Sequence, residues 1–397
     1  MEHHDYLIIG TGIIGLTIAM KIKEKNSKAS ILMIEKESEE ACHSSGRNSG
    51  VLHAGFYYSA DSFKAKFTVA GNNALKAYCK KKHLPINACG KLIVAMDERE
   101  IETLYELEKR GKNNGSTVEI VDEARAREIE PNVFTHKKAL FSPDTASIDP
   151  KQVCTSIRHD VEKLGVQISF NTKYLSRKGQ VIVTNKGDFT AGKIINCGGL
   201  YADKIAQDFG FGFKYTMIPF KGLYLQYTKN KTDVKINIYP VPNLLNPFLG
   251  VHYTIAVDQT IKIGPTAIPA FWRENYKLTS NFKFNEFLNV AFYESRLFFS
   301  NAFGFRNLAF EEMKKYYRKY FVGLAQKMVQ SIDPAGFTVF SEPGIRAQLL
   351  DKTTLNLVQD FVVEGDDKSI HVLNAVSPAY TCAFPFAEFL IKEYIDK

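Results

Sequence analysis

The sequence predicts an α/β and α+β chain, in which a discontinuous Rossmann-like dinucleotide-binding domain carries a substrate domain of mixed or antiparallel sheet with a helical cap. Three observations predict it. A complete strand–glycine turn–helix–strand unit opens the chain. A buried strand, a double glycine and a helix start follow near residue 198. The stretches in between and beyond are dense in aromatic and β-branched residues broken by turns.

The opening unit runs Tyr6-Leu-Ile-Ile-Gly10-Thr-Gly12-Ile-Ile14-Gly15, with Ile31-Leu-Met-Ile34-Glu35-Lys36 after the helix. Such a glycine spacing is weak evidence alone, but here the whole unit closes within about 30 residues, as a dinucleotide-binding βαβ requires. Gly10 permits the tight turn, Gly12 lets backbone approach a pyrophosphate, and Gly15 lets helix pack on sheet. The pyrophosphate would meet the unpaired N–H groups at the helix start. Glu35 is placed for an adenosine ribose and argues against a 2′-phosphate. The bland alternative, fortuitous glycines in a nucleotide-free unit, fits the complete context less well.

At 397 residues the chain is too long for one ordinary core, so two domains are expected. Its composition, 45% hydrophobic and 24% charged, is that of a globular protein. The formal charge of +8 suits anionic substrates or an acidic membrane surface. No basic block with interleaved aromatics points to nucleic acid. Six scattered cysteines show no C-x-x-C pair and no metal-like spacing, so buried thiols in a reducing compartment, the cytoplasm, are expected and no metal is. The first apolar stretch is too short and too early for a signal sequence, and no segment approaches the ~20 apolar residues of a membrane span.

After the βαβ, residues 41–60 read as a glycine- and serine-rich loop, followed by an amphipathic helix over 62–82. A strand is expected over 90–96, a charged helix over 98–111, and a loop after 118–128. Asp149-Pro150 starts a helix to Leu164, with aspartate as cap and proline in the first turn. Strands follow over 166–170 and 181–184. Gly192-Lys-Ile-Ile-Asn-Cys-Gly198-Gly199-Leu-Tyr-Ala-Asp203 reads as strand, double glycine and helix start, so the backbone at Gly198 and Gly199 can approach a second point on the same cofactor. Asp203 reads as a helix-supporting residue. Residues 216–271 suggest an antiparallel sheet, residues 282–331 aromatic helices, Pro343-Gly344-Ile-Arg346 a turn, and residues from about 381 a last helix. The expected division is 1–85, 147–215 and 340–397 for the cofactor domain, and 86–146 with 216–339 for the substrate domain.

The run Ser44-Ser45-Gly-Arg47-Asn48-Ser49-Gly50-Val-Leu52-His53-Ala-Gly55-Phe-Tyr57-Tyr58 resembles the signature of L-2-hydroxyglutarate dehydrogenases/oxidases, members of the broader FAD-dependent D-amino-acid oxidase/glycine oxidase group. Cys89-Gly-Lys-Leu-Ile-Val-Ala95, Tyr239-Pro-Val-Pro, Pro247-Phe-Leu-Gly-Val-His252-Tyr253, Gly264-Pro265, Trp272-Arg-Glu-Asn-Tyr276, Gly344-Ile-Arg346-Ala-Gln348 and Asn374-Ala-Val-Ser377-Pro378-Ala379 also fit. The chain departs from the pattern after Ala379, where small residues are expected and Tyr380-Thr381-Cys-Ala-Phe-Pro385 stands, a region expected near the flavin's pyrimidine end.

The resemblance implies FAD, oxidation of an L-2-hydroxy acid to the 2-oxo acid, and electron delivery to a membrane quinone or to oxygen. It implies cofactor contacts from the 44–50 loop, Leu52, Gly344, Arg346, Ser377, Pro378, Ala379 and Thr381, besides Gly10, Gly12, Ile14, Gly15, Glu35, Lys36, Gly198 and Gly199. The loop's alternative is a polar surface segment. Competing functional readings are an amine or D-amino-acid oxidase, which would want an acid or aromatic cage near the flavin, and a flavin-binding subunit without turnover.

Oxidising a 2-hydroxy acid requires a held carboxylate, a Cα hydrogen facing the flavin, and a base for the hydroxyl proton, which favours histidine. Of nine histidines, His53 and His252 lie inside the family-like motifs. His252 is placed ahead as base, with His53 orienting flavin or substrate; for each, a structural imidazole is the even alternative. A dianion needs cations at both ends. Arg346 is the first candidate, against an interdomain salt bridge. Lys221 is the second, against a solvated strand edge. Tyr57, Tyr224 and Tyr253 could donate to carboxylate or hydroxyl, although core packing is commoner for a tyrosine. The aromatic, basic stretch 282–331 reads either as a cap packed on the substrate sheet, which is favoured, or as a peripheral membrane surface.

Overall fold

The computed structural model describes residues 2–243 and 248–396. Leu7, Ile8 and Ile9 are buried on both faces of their strand, as are all four residues of Ile31–Ile34, and such continuous apolar runs belong inside a parallel sheet. Five strands run parallel in the order Gln167–Ser169, Ile31–Ile34, Glu2–Ile9, Gly187–Asn196 and Ser369–Asn374. Their register sets Ile34 and Asn196 beside Ile9, and His371 beside Asn196, so the carboxyl ends finish at one level. Antiparallel strands Tyr174–Lys178, Val181–Thr184 and Val362–Gly365 complete a sheet of eight.

Alternation along these strands feeds two cores. Ile8, Met33 and Ile195 face the helices Ile13–Lys25, Phe63–Lys81, Pro150–Lys163 and Ala379–Tyr394. Leu7, Ile9, Leu32 and Ile194 face the opposite side, where Ile205 of the helix Ala202–Asp208 covers them. The helix starts follow from local chemistry: the side chains of Ser62, Asp97, Asp122 and Asp149 each accept a backbone N–H of the first turn.

A second eight-stranded sheet has the order Phe337–Phe340, Leu225–Tyr227, Ile261–Gly264, His252–Ile255, Asn237–Pro240, Lys91–Val94, Lys138–Ser142 and Glu119–Asp122. It is antiparallel except where Asn237–Pro240 runs parallel to Lys91–Val94, joining the two sequence-distant parts. A three-stranded sheet, Ile268–Pro269, Tyr215–Gly222 and Gly344–Asp351, stands beside it.

Several local expectations are corrected. Residues 344–351 form a strand paired along its whole length with Tyr215–Gly222, so Arg346 lies within a strand opposite Phe220 rather than in a turn. Its mixed small, charged and apolar composition conceals the pattern, and the partner lies far away in sequence. The stretch 118–128, expected to lead into a loop, does so through a strand and the charged helix Glu123–Ile129, started by the Asp122 cap without apolar periodicity. Within 282–331, helices Phe284–Ser300, Phe305–Lys314 and Arg318–Gln326 form. Leu297 and Phe305 pack on the three-stranded sheet, and Phe321 on the eight-stranded one, yet many of the segment's aromatics stay exposed. Among the described residues, no helix is long and apolar enough to cross a membrane.

Candidate functional site

Two cavities, of about 740 and 240 Å³, share a neck formed by Gly12, Ser44, Ser45, Cys197 and Gly199. The neck lies at the carboxyl ends of Glu2–Ile9 and Gly187–Asn196 and at the start of the helix Ile13–Lys25, where orphan N–H groups favour an anion. Gly10 holds φ at +104°, and a Cβ there would stand 2.6 Å from the Cys197 carbonyl oxygen. A Cβ on Gly15 would stand 2.2 Å from the Gly10 carbonyl oxygen. Gly12 has a neighbour not foreseen: Ser45 Oγ accepts the Ile13 N–H at 3.0 Å and would meet a Gly12 Cβ at 2.9 Å.

The larger lobe is lined by Gly10, Glu35, Lys36, Gly198 and Gly199 among others. Glu35 is fixed from both oxygens: Oε2 accepts from Thr11 N and Oγ1 at 2.9 and 3.0 Å, and Oε1 accepts from Glu37 N at 3.0 Å. Lys36 pairs with Glu274 at 2.8 Å and with Glu37. The His43 bond, then Lys36, holds the Glu37 carboxyl at about 2 despite burial. The ligating atoms of Glu37, His43 and Glu274 lie within 4.8 Å of one another, but the Lys36 ammonium touches all three side chains and takes the cation's place. Asp203 supports this wall through a buried bidentate pair with Arg273, at 2.5 and 2.8 Å.

The 44–50 loop ties the amino-terminal unit to the Gly344 strand. Ser44 Oγ donates to the Ile345 carbonyl at 2.9 Å, Arg47 donates to the Cys42 and Pro343 carbonyls, and Asn48 Nδ2 donates to the Ser44 and Ser45 carbonyls. Ile14, Gly15, Arg47, Asn48, Ser49, Gly344, Ser377, Pro378, Ala379 and Thr381 line the smaller lobe. Gly50 and Leu52 do not: a Gly50 Cβ would lie 2.2 Å from the Ile148 carbonyl oxygen, and Leu52 belongs to the helix-side core. Tyr380 sends its hydroxyl away to the Pro150 carbonyl at 2.7 Å.

His53, Tyr224 and Arg346 also line the smaller lobe. Arg346 is partly buried; its guanidinium lies 4.9 Å from the Phe248 ring, and no carboxylate pairs with it among the described residues. Its pKa is lowered by burial, against the pull of Tyr224, Glu312 and Tyr58. His53 Nδ1 is buried without a partner. Burial, then the charges of Lys91, His252 and Lys64, drive its pKa well below the usual 6.5. His252 Nδ1 lies 2.8 Å from the Gly250 carbonyl, which can only accept, so Nδ1 carries the hydrogen and Nε2 is left as acceptor. Burial, assisted by Lys91, Lys315 and Arg346, lowers His252 to about 3. Both imidazoles are therefore neutral at neutral pH.

Strand alternation removes two expected residues. Phe220 and Gly222 line the lobe, so Lys221 between them points elsewhere, its Nζ 3.3 Å from Asn275 Oδ1. Tyr253, next to His252, is buried with Tyr227 and Phe337 in the second sheet's core. Tyr57 packs beside Phe56, its hydroxyl buried. The Pro247 that opens the Pro247–Tyr253 motif lies outside the described residues.

Two unexpected lysines stand near the imidazoles. Lys91 is fully buried, with no hydrogen bond to Nζ, which lies 4.1, 5.4 and 5.7 Å from the ring centroids of Tyr239, Tyr57 and Phe56. Burial pulls it down to about 7. Its one sequence signal is a lysine inside the apolar run Gly90–Val94. Lys64 is buried at the start of its helix, lowered by burial to about 8, with Asp360 and Arg346 in its field and no ion pair among the described residues. Nothing in its local sequence marks it. The long cleft with a glycine neck at a helix start fits an extended dinucleotide such as FAD, and cations without partners beside neutral imidazoles fit an anionic substrate that gives up a proton.

The sequence profile of the family described as FAD dependent oxidoreductase matches residues 5–388. The chain is 36% identical to the mitochondrial L-2-hydroxyglutarate dehydrogenase of Nematostella vectensis, covering 100% of this chain and 91% of that protein. It is 32% identical to the L-2-hydroxyglutarate dehydrogenase of Escherichia coli strain K12, covering 98% and 93%. Among solved structures, it is similar to an FAD-bound L-α-glycerophosphate oxidase from Mycoplasma pneumoniae, with a TM-score of 0.78, 22% identity, and 100% and 96% of the two chains covered. Glycine oxidase from Geobacillus kaustophilus gives a TM-score of 0.71 at 14% identity, covering 100% and 95%.

Proposed function

The chain belongs to the FAD-dependent oxidoreductase family and, within it, to the L-2-hydroxyglutarate dehydrogenases, and from that premise we propose that it oxidises L-2-hydroxyglutarate, or a close L-2-hydroxy acid, to the 2-oxo acid. The observation that carries this reading is the pairing, around one lobe, of Arg346, a cation without a carboxylate partner among the described residues, with the neutral imidazole of His53. An amine substrate would call for the opposite charge.

FAD, held along the cleft, supplies the acceptor for the hydride leaving the substrate's Cα. The residues proposed to hold it are Gly10, Gly12, Ile14, Gly15, Glu35, Gly198 and Gly199, the 44–49 loop, Gly344 and Ser377–Thr381. Arg346 grips one carboxylate with its planar fork. Lys64 takes the place first assigned to Lys221 and meets the other carboxylate. His53, which lines the lobe, takes the hydroxyl proton. A bound dianion raises the depressed pKa of a nearby imidazole and so prepares it to accept that proton. His252, with Nε2 left as acceptor, is the second candidate for this transfer. The proposed final acceptor of the electrons is a membrane quinone or oxygen. The proposed domain division is 1–85, 147–215 and 340–397 against 86–146 and 216–339.

The test is anaerobic bleaching of the flavin by candidate substrates. L-2-hydroxyglutarate should bleach it faster than the D enantiomer, glycine or a D-amino acid. Faster bleaching by the amines would overturn the reading.

A further inference from the structure

The second eight-stranded sheet is apolar on one face and carries a polar row on the other. Pairing sets Asn237 beside Lys91, and Ile238 opposite Tyr253. Neighbours across a ladder share a face, and successive residues alternate. Leu92, Ile238, Tyr253 and Ile263 therefore turn together into the core that the helix Arg318–Gln326 covers. Lys91, Asn237, Tyr239, His252 and Thr254 turn to the other side, and all five are buried. Against that side packs the segment 54–57, where Ala54, Phe56 and Tyr57 share a core with Ile93 and Tyr239.

Three buried polar atoms in this layer have no protein partner among the described residues: Lys91 Nζ, Tyr57 Oη and His53 Nδ1. Buried polar atoms are normally satisfied, and where side chains do not meet directly an ordered water with several polar neighbours joins them. Lys91 Nζ lies 5.4 Å from the Tyr57 ring centroid, and after burial it is Lys91 and His252 that act most on the His53 imidazole. His53 stands at the border, because it also lines the smaller lobe. With Nδ1 turned into the layer, Nε2 is left for the lobe.

The titratable groups around Lys91 are Cys89 on its own segment, Tyr239 and His252 on neighbouring strands, and Tyr57 and His53 against the sheet. None of them is a carboxylate. Burial lets the lysine exist as a free amine near neutrality, while the rings of Tyr239, Tyr57 and Phe56 favour the ammonium once it forms.

We propose that Lys91 receives the substrate's hydroxyl proton, passed to it from His53 through Tyr57 and ordered water. This rests on the oxidation of a 2-hydroxy acid with His53 as its base. The substrate O–H bond breaks and an N–H bond forms at His53 Nε2, while the Cα hydrogen leaves with its electron pair as hydride to FAD. The hydrogen on Nδ1 moves on, through water and the Tyr57 hydroxyl, to the Lys91 amine. The imidazole is then neutral again, and the proton is kept from returning to the 2-oxo acid.

Anaerobic stopped-flow mixing of the holoprotein with L-2-hydroxyglutarate, in weak buffer with a pH-indicator dye, follows flavin bleaching and proton release together. At about pH 8, where Lys91 is mostly an amine, the dye response should lag the bleaching, at least about threefold slower. At about pH 6, where Lys91 is already an ammonium, the two signals should coincide. Lys91→Met should make them coincide at both pH values. So should Tyr57→Phe, which leaves the lysine in place. Coincident signals in the native protein at the higher pH, or a lag that persists in either variant, would overturn the relay. Absence of bleaching would instead sink the substrate reading, and the relay with it.

Discussion

His252 lies flush on Tyr239, with ring centroids 3.6 Å apart and planes 16° from parallel. The Lys91 ammonium stands 4.1 Å from the same Tyr239 centroid. The imidazole and the ammonium both lie against the same phenol ring. A cation and a titratable base thus share one aromatic plate, and the cation's field helps keep the base neutral.

That arrangement makes Lys91 costly to the fold. A lysine whose folded pKa is about 7 binds fewer protons than the unfolded chain between there and 10.5, so stability should rise with pH across that window. Lys91→Met should raise the melting temperature at pH 7 and flatten this rise. With the cation gone, the neighbouring imidazoles protonate more readily, so the acid limb of kcat/KM should move to higher pH. Thermal denaturation across pH and a pH–rate profile check both.

The histidines can be separated. His53→Ala should keep the bound flavin and lose reductive rate by ~10²-fold or more if it is the base. His252→Ala should lose less. Stopped-flow bleaching of the flavin measures both, and the reverse order would give the base to His252.

Lys64 gives the profile its alkaline side. Its depressed pKa of about 8 means that the free enzyme loses this anchor's charge as pH rises through that value, so kcat/KM should fall there. Lys64→Arg, always charged, should push the limb upward. The acid side should begin below the ordinary 6.5 of histidine, because burial holds both imidazoles neutral. Lys64→Met should lower kcat/KM by ~10-fold or more, chiefly through KM, if the lysine contacts the carboxylate in the ground state.

Gly15→Ala places a methyl group against the Gly10 carbonyl, where 2.2 Å is available, and backbone must yield. The variant should purify without its yellow colour and melt earlier than the native protein. Flavin absorbance and a melting curve check it.

Much of this was legible in the sequence where local chemistry decides. The Asp149-Pro150 start, the apolar strands at Leu7–Ile9 and Ile31–Ile34, and the glycine turn follow from short-range rules, and the structure places them as read. Arg346 was legible as a residue but not as part of a strand, because its partner at Phe220 is brought in only by tertiary pairing. Lys221 and Tyr253 failed for a simpler reason. A motif marks a stretch of strand, and side-chain alternation sends neighbours to opposite faces. Lys91 and Lys64 escaped notice because burial, not residue type, gives them their chemistry.

The strand Ser369–Asn374 and the helix Ala379–Tyr394 come late in the chain, yet the helix packs between Ile13–Lys25 and Phe63–Lys81, and its first turn walls the smaller lobe. During synthesis the opening glycine turn leaves the ribosome hundreds of residues ahead of its counterpart. A nascent or prematurely stopped polypeptide would offer half a cradle. Flavin capture should therefore await synthesis of this strand and helix, and premature stops after residue 368 should yield colourless, aggregation-prone products.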